Sequence, residues 1–236
     1  MPFNHNNHYH RLLLRELPPA CRTALDVGCG TGEFARTLAR RGIDVHAIDA
    51  DRDVITAARE QTSTLDSSAR VSFEQVDIGH LRLPPGSYDY IACLASIHHV
   101  PFETVRKLRA ALTEDGVLVI LGCYRATTVR DHATGLLAVP VNAAWRAVIY
   151  AREKWQGRRA DPAGPARPRF SASSASSASS ASSAPAADRA TAPVMAPLMS
   201  LAEVRAGSAE FLPGSHIRRL LFWRYLLVFR KGQERG

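Results

Sequence analysis

The densest chemical signal in the sequence is a glycine-rich segment, LDVGCGTGEF, at residues 25–34. Glycines at positions 28, 30 and 32 alternate with other residues, directly after an apolar run that is typical of a β-strand. Glycines let the backbone turn tightly and approach a ligand without an intervening Cβ. The segment therefore predicts a nucleotide-type cofactor loop between a strand and a helix.

Glu33 indicates which nucleotide suits this loop. A dinucleotide fingerprint, GxGxxG, would need glycine at position 33, in the first turn of the following helix. A pyrophosphate would lie at that helix N-terminus, where a carboxylate repels it. S-adenosylmethionine (SAM) has no phosphate and carries a sulfonium and an ammonium group, so it is compatible with Asp26 and Glu33. This difference disfavours a nicotinamide-dependent oxidoreductase.

Further acidic residues follow later strand-like segments. Asp49 ends the second segment, where a carboxylate can bind both ribose hydroxyls. Asp77 ends the third segment and can equally cap a turn or a helix. Asp89 lies at the entry of the fourth apolar segment, so we interpret it as structural.

The order of these motifs resembles the class I SAM-dependent methyltransferases, especially those that act on small molecules. The resemblance rests on LDVGCGTG at 25–32, VDI at 76–78, the strand opening YDYI at 88–91 and the histidine pair at 98–99. It covers residues 3–123 well and 200–231 more loosely. It implies SAM as the cofactor and a small-molecule acceptor that attacks the methyl group in line through oxygen, nitrogen or carbon.

The resemblance also assigns cofactor contacts residue by residue. It implies that Asp26, Gly28 and Gly30 surround the methionyl part of SAM and that Asp49 binds the ribose. It places Asp77 with Ile78 beside the adenine. The chain neighbours Cys29, Gly32 and Ala50 complete the predicted cofactor site.

Histidines supply the candidates for acid–base chemistry. His98 and His99 follow the fourth strand, at the edge where open α/β sheets bind ligands. Either can take a proton from a hydroxyl nucleophile or contact the substrate, and the pair can also simply cap the loop before the next proline. His5, His8 and Tyr9 are candidates for substrate contact, in a segment that resembles the short helix covering the cofactor in related enzymes. A solvated helix face is the alternative.

The elements that must position these residues follow from hydrophobic periodicity. Short apolar runs alternate with helical patterns between residues 23 and 123, as in a parallel sheet with crossover helices. Predicted strands cover residues 23–27, 43–48, 71–76, 88–95, 117–121, 215–221 and 224–230, and predicted helices cover 32–41, 101–112 and 200–210. The fold class is therefore α/β, a Rossmann-like doubly wound, mostly parallel seven-stranded sheet with an antiparallel last strand. The resemblance places the seventh strand between the fifth and the sixth.

The predicted domain map has five parts. They are a cap helix (1–20), the SAM-binding core (21–123), a helical lid-like insertion (124–156), a flexible linker (157–197) and a C-terminal helix with two strands (198–236). The linker contains a Ser/Ala run at 171–184, which offers too little apolar surface to offset its ordering entropy. The helical pattern at 131–155 leaves three uses open, namely packing on the core, covering the substrate and lying on a membrane surface.

Charge and cysteine usage narrow the function class. The formal net charge is +8, yet residues 1–123 contain 13 lysines and arginines against 15 acidic residues, so the basic excess lies in the second half. The fourth strand leads into ASIHHVP rather than the Asn/Asp-Pro-Pro-aromatic turn of amino-methylating DNA enzymes, which disfavours a nucleic-acid methyltransferase. A SAM-binding module without turnover stays open as an alternative. Four separated cysteines and no signal peptide predict a cytoplasmic protein without a metal site.

Overall fold

The secondary structure comes from a computed structural model that describes residues 5–63, 70–128, 197–221 and 223–235. The helices are α1 (His5–Leu14), α2 (Glu33–Ala39), α3 (Arg52–Ser63), α4 (Thr104–Ala111) and α5 (Leu201–Phe211). The strands are β1 (Thr23–Val27), β2 (Asp44–Asp49), β3 (Val71–Gln75), β4 (Tyr88–Leu94), β5 (Leu112–Cys123), β6 (His216–Arg219) and β7 (Arg224–Arg230). The predicted helix at 131–155 and the Ser/Ala run at 171–184 lie outside these ranges.

The strands form a seven-stranded sheet in the order β3-β2-β1-β4-β5-β7-β6. Strands β1 to β5 pair in parallel, while β7 is antiparallel to both β5 and β6. This order confirms the predicted Rossmann-like sheet with its last strand between the fifth and the sixth. Val27 pairs with Ile48 and with Cys93, so the carboxyl ends of β1, β2 and β4 meet at one edge.

Helices cover both faces of the sheet, as expected for strands that read as continuous apolar runs. On one face, Leu13 of α1, Phe34 of α2 and Ile55 of α3 belong to one buried cluster. On the other face, Leu108 of α4 and Val204 of α5 belong to a second buried cluster. Among the described residues, no helix is long and apolar enough to cross a membrane.

Two elements differ from the sequence prediction. Helix α3 occupies a segment for which no element was predicted, because its buried residues, Val54, Ile55 and Ala58, are few among polar neighbours. Strand β5 begins at Leu112 rather than at residue 117, because Leu112 pairs with Tyr88 across an irregularity in the ladder. The residues inside that irregularity include exposed acidic side chains, so they show no apolar signal.

Asp89 ties the amino ends of three strands together. Its carboxylate accepts hydrogen bonds from the backbone N–H of Arg22 at 2.9 Å and of Thr23 at 3.1 Å. The Thr113 hydroxyl of β5 donates to the same carboxylate at 3.2 Å. The structural interpretation of Asp89 is therefore confirmed.

The chain leaves the sheet after Arg125 and rejoins it at Met199, at neighbouring points. Residues 126–198, which include most of the predicted lid-like segment and the predicted linker, are called the insertion from here on. The Arg125 N–H donates to the Met199 carbonyl at 2.8 Å, and Arg125 pairs with Ser200 in a parallel bridge. Ser200 then starts α5 in a capping box, because its hydroxyl accepts the Glu203 N–H at 3.3 Å while its own N–H donates to the Glu203 carboxylate at 2.6 Å. The chain thus re-enters the fold at a defined position.

Candidate functional site at the carboxyl edge of the sheet

The glycine loop turns sharply at the carboxyl end of β1. Gly28, Gly30 and Gly32 have φ angles of 71°, 55° and 78°, in the left-handed region that favours glycine. The N–H groups of Gly28 and Cys29 donate to the Ile48 carbonyl at 2.8 and 3.0 Å. The loop is therefore held against β2, and Gly32 precedes the first residue of α2.

Two of these glycines serve different purposes. A Cβ on Gly28 would lie 2.2 Å from the Cβ of Ser96, so this position is needed for close packing against the loop after β4. A Cβ on Gly30 would meet no atom of the described residues within 4 Å. Gly30 therefore faces open space, where a ligand can approach the backbone.

Asp49 is fixed by the loop that it faces. One carboxylate oxygen accepts the Gly30 N–H at 3.0 Å, and the other accepts the Asp51 N–H at 3.0 Å. The side chain is half-buried, and each carboxylate oxygen keeps a lone pair that these bonds leave unused. This arrangement can bind a pair of vicinal hydroxyls.

Asp26 is a buried carboxyl group directly before the glycine loop. Only 1% of the residue is exposed, and neither carboxylate oxygen has a hydrogen-bond partner among the described residues. Burial, and secondly the negative charge of Asp49, raise the pKa of Asp26 from its ordinary 3.8 to about 7, against a smaller opposing effect of the Ala35 backbone N–H, which does not reach good hydrogen-bond geometry. Because an uncompensated buried carboxylate is unfavourable, this position favours a cationic ligand group nearby. A sulfonium or an ammonium group meets that requirement, so the residues present fit SAM.

The third group of predicted cofactor contacts lies in the turn after β3. The Asp77 carboxylate accepts the Gly79 N–H at 2.7 Å, so the turn-capping alternative is realised in the structure. Ile78 packs in the core, and its carbonyl accepts the Lys107 ammonium at 2.6 Å. Ala50 is exposed at the end of β2. Contact of these three residues with an adenine stays a prediction.

The loop after β4 approaches the glycine loop through Ser96. The Ser96 hydroxyl donates to the Val27 carbonyl at 2.6 Å. Ala95, just before it, has a φ angle of 52°, in the left-handed region. This conformation is unfavourable for a residue with a Cβ. Such strain is concentrated at functional sites. Sequence analysis missed Ser96, because a lone serine after a strand carries no distinctive pattern.

His98 and His99 differ in their surroundings although their ring centroids are 4.1 Å apart. His99 is exposed, whereas His98 is half-buried and its Nδ1 atom is buried without a hydrogen-bond partner among the described residues. Burial, then the neighbouring His99 and the Arg224 guanidinium, lower the pKa of His98 to about 4. His98 is therefore neutral near pH 7 and is better suited to hydrogen bonding than to strong proton abstraction.

A cavity of about 310 Å³ opens beside this histidine pair. Its walls are mainly apolar and include Phe102, Met199, Val204 and Tyr225, with His98 as a polar group. The volume is within the range of small-molecule sites. The cavity can therefore hold a small ligand with a largely apolar body.

Helix α1 carries the remaining predicted contacts. Tyr9 is buried, and the Arg224 guanidinium lies 5.3 Å from the centroid of its ring. His5 and His8 belong to the same helix, and their contact with substrate stays a prediction. The structure thus brings Tyr9 towards the carboxyl end of β5, where Cys123 is the cross-strand partner of Arg224.

A larger cavity, of about 570 Å³, lies at the opposite edge of the sheet. It is lined by the amino ends of β1 to β4 and contains His46, whose ring nitrogens lie 3.0 Å from the Tyr88 hydroxyl and 2.9 Å from the Glu74 carboxylate. None of the predicted site residues lines it. Open α/β sheets bind ligands at the carboxyl ends of their strands, so we assign the functional site to the carboxyl edge.

Comparison with known proteins finds sequence similarity to methyltransferases. Residues 24–116 match the methyltransferase domain family. An uncharacterized methyltransferase of Mycobacterium tuberculosis is 29% identical over 97% of both chains. A ubiquinone biosynthesis O-methyltransferase of Pectobacterium carotovorum is 36% identical over 50% of this chain and 48% of its own length. A crystallised SAM-dependent methyltransferase of Mesorhizobium loti is 26% identical over 50% of this chain and 53% of its own, with a TM-score of 0.43.

The family match spans the glycine loop and strands β2 to β4. The sequence matches therefore support a class I SAM-dependent methyltransferase, with the family match lying at residues 24–116.

Proposed function

We propose that this protein transfers the methyl group of SAM to a small molecule with a largely apolar body. The observation that carries the proposal is the pairing of an open-faced glycine loop with a buried carboxyl group, Asp26, that has no described partner. Such a group is stabilised by a cation rather than by a phosphate. A dinucleotide would bring the opposite charge to the same place.

The chain's residues would hold the cofactor by complementary chemistry. When bound, SAM supplies a methyl group on a positively charged sulfur, which makes it a good leaving group for in-line attack. Asp26 would compensate positive charge, Gly30 would let the backbone lie close to the ligand, and Asp49 would accept both ribose hydroxyls. The predicted roles of Cys29, Gly32, Ala50, Asp77 and Ile78 belong to the same proposed site.

The acceptor would occupy the cavity beside His98. Its apolar walls would exclude water and align the acceptor, and these two effects supply most of what a methyl transfer needs. His98, neutral near pH 7, would hydrogen-bond the polar end of the acceptor, and it can take a proton only from an acidic group. His99, His5, His8 and Tyr9 remain proposed contacts.

Cofactor binding and turnover test this function separately. Calorimetry should detect binding of SAM and of its demethylated product, but not of NAD. A metabolite panel incubated with SAM carrying a labelled methyl group should then yield a labelled product. Tight NAD binding without SAM binding would falsify the proposal, whereas SAM binding without any transfer would favour a non-catalytic SAM-binding module.

A glycine substitution tests whether the loop contacts the cofactor. Gly30→Val should abolish SAM binding, because a branched side chain would fill the open space above the loop. Gly86→Val is the matched control, since Gly86 has a similar φ of 66° and its Cβ would also meet no described atom within 4 Å. Both variants carry the same backbone strain. Equal SAM affinity in the two variants would mean that the glycine loop is structural only.

A further inference from the structure

Large apolar side chains are exposed at three positions of the described chain, and these positions lie together at the carboxyl edge of the sheet. They are Leu198, Leu221 and Trp223. Just after β5, the Tyr124 N–H donates to the Trp223 carbonyl at 2.9 Å, and the Arg125 N–H donates to the Met199 carbonyl at 2.8 Å. Exposed apolar residues that scatter singly need no explanation, whereas a group of them marks an interaction surface.

The tip of the β6–β7 hairpin carries two of these side chains. The Leu220 N–H donates to the Arg224 carbonyl at 2.8 Å and closes the hairpin, so Leu221 and Trp223 lie in its tip. Trp223 has a φ angle of 52°, at a position where three-residue hairpin turns favour glycine. Its backbone conformation and the exposure of its ring are both unfavourable. A tryptophan kept under these conditions indicates a role outside the folding of the hairpin.

The segment around the hairpin tip is basic. Residues 212–230 contain four arginines and no acidic residue. Arg218 is exposed on β6, and Arg219 beside it is half-buried, with its guanidinium carbon 5.6 Å from the centroid of the Tyr124 ring. The tip therefore combines apolar side chains with positive charge.

This combination fits an anionic lipid surface better than a protein. Tryptophan is favoured at the headgroup level of a bilayer, and basic residues are attracted by anionic lipids. A few inserted side chains with nearby positive charge are enough for such binding. A stable protein–protein interface instead takes roughly 20 to 30 residues from each partner.

We infer that the β6–β7 hairpin tip docks this protein on an anionic lipid surface, with Leu221 and Trp223 entering the headgroup region and the two arginines of β6 attracting the lipid phosphates. The docking does not depend on the proposed methyl transfer. Leu198 is exposed and also lines the cavity beside His98. Docking at this edge brings the cavity near the lipid, where molecules with an apolar body accumulate.

Vesicle binding tests this inference on the full chain. We expect the protein to cosediment with vesicles of phosphatidylcholine mixed with phosphatidylglycerol, and to bind vesicles of phosphatidylcholine alone at least tenfold more weakly. Added salt should weaken binding to the anionic vesicles, because it screens the arginines. Failure to bind the anionic vesicles, or equal binding to both kinds, would overturn the inference.

Trp223→Gly tests the hairpin tip itself. Glycine suits a φ angle of 52° and keeps the carbonyl that accepts the Tyr124 N–H, so we expect this variant to fold. Its binding to anionic vesicles should fall by about tenfold or more, because a large apolar group is lost from the contact. Trp223→Phe should restore part of the loss. Unchanged binding in Trp223→Gly would assign lipid binding to another part of the chain and refute docking by the tip.

Arg218→Gln and Arg70→Gln remove the same charge from opposite edges of the sheet. Arg218→Gln should weaken binding to anionic vesicles by about fivefold, because its guanidinium lies beside the docking tip. Arg70, which forms an exposed ion pair with Asp44 at the amino edge, should contribute much less. Equal effects of the two substitutions would mean that net charge, rather than the hairpin tip, attracts the protein to lipid.

Brominated lipids locate the contact without relying on a change of affinity. Bromine quenches a tryptophan that enters the bilayer, and the difference in emission between the wild-type protein and Trp223→Phe isolates Trp223. We expect that difference to be quenched by anionic vesicles that contain brominated phosphatidylcholine. An unquenched difference would overturn the inference. So would self-association that Trp223→Gly abolishes in a protein that binds no vesicles, because the tip would then contact a second copy of the chain.

Discussion

At the scale of single residues, Asp26 couples the stability of the fold to pH. Its pKa lies at about 7 in the folded chain, above its ordinary value of 3.8, because burial and Asp49 disfavour its charged form. A carboxyl group with a raised pKa binds its proton more tightly in the folded state than in the unfolded state. Its contribution to stability is complete below its ordinary pKa and is lost as the pH rises through about 7.

We predict that the ligand-free wild-type protein loses more stability than Asp26→Asn between about pH 5 and about pH 8. The asparagine variant has no proton to release at this position, so the difference between the two curves isolates Asp26. Urea unfolding at several pH values measures it. Parallel curves would mean that Asp26 is ionised, and compensated, in the folded state.

Asp49 should determine affinity for the ribose. Asp49→Ala should bind SAM at least about tenfold more weakly, because hydrogen bonds to a charged group contribute roughly 1.5 to 3 kcal/mol each. Asp44→Ala is the control, since Asp44 lies at the other end of β2, where its carboxylate forms an exposed ion pair with Arg70. Calorimetric titration of both variants gives the comparison. Wild-type affinity in Asp49→Ala would remove the ribose assignment.

A site residue can be predicted when the sequence pattern that marks it lies within a few neighbouring residues. The glycine loop, Asp26 and Asp49 stand at strand ends, and strand ends are readable from the change between apolar and polar residues. The contact of Arg224 with the Tyr9 ring was not predicted, because the position of Arg224 depends on β7 pairing with β5 across a long segment of chain. A basic residue before an apolar strand is otherwise an ordinary surface feature.

At the scale of elements, Asp89 joins β4 to β1 and β5 at the edge away from the site. Asp89→Ala should destabilise the protein by about 1 to 3 kcal/mol, because it leaves the N–H groups of Arg22 and Thr23 without their acceptor. Glu60→Ala, on α3, changes an exposed side chain that forms no hydrogen bond with the described residues, so it should cost much less. Denaturant unfolding compares them, and equal stabilities would show that water replaces the Asp89 carboxylate.

The elements that sequence analysis predicted well are those buried on both faces. β1, β4 and β7 read as continuous apolar runs, and β7 has the predicted bounds of Arg224–Arg230. β6 is shorter than predicted, at His216–Arg219, because the outermost strand has one neighbour and alternates between exposed and half-buried residues. Helix α3 escaped prediction because three buried residues in a polar segment give a weak periodic signal.

At the scale of the whole molecule, the two anchor points of the insertion determine what can be removed. Deleting residues 171–184 should leave the melting temperature and SAM affinity nearly unchanged, because Arg125 and Ser200 hold the chain in register on either side. Loop length enters the closure entropy only logarithmically, at about 0.6 kcal/mol for each halving. Thermal unfolding and calorimetry measure both quantities. A loss of several kcal/mol would identify the Ser/Ala run as an ordered element.

Truncation after Ala184 should have the opposite effect. It removes β7, whose Leu226, Leu227 and Phe229 are buried, and it exposes the hydrogen-bonding edge of β5. Unpaired sheet edges promote aggregation. We expect insoluble protein by sedimentation of cell extracts. A soluble truncated chain that still binds SAM would show that the terminal strands are dispensable for the sheet.

The pairing of Arg125 with Ser200 also means that the insertion can be replaced without moving its two ends. Both of its ends leave the fold at one place, so a segment of different length or sequence can be substituted while β5 and α5 keep their positions. Leu198, at the end of the insertion, and Met199 beside it line the cavity next to His98. A change of the insertion between these two anchor points can therefore alter the lining of this cavity while the sequence of the glycine loop and of strands β1 to β5 stays the same.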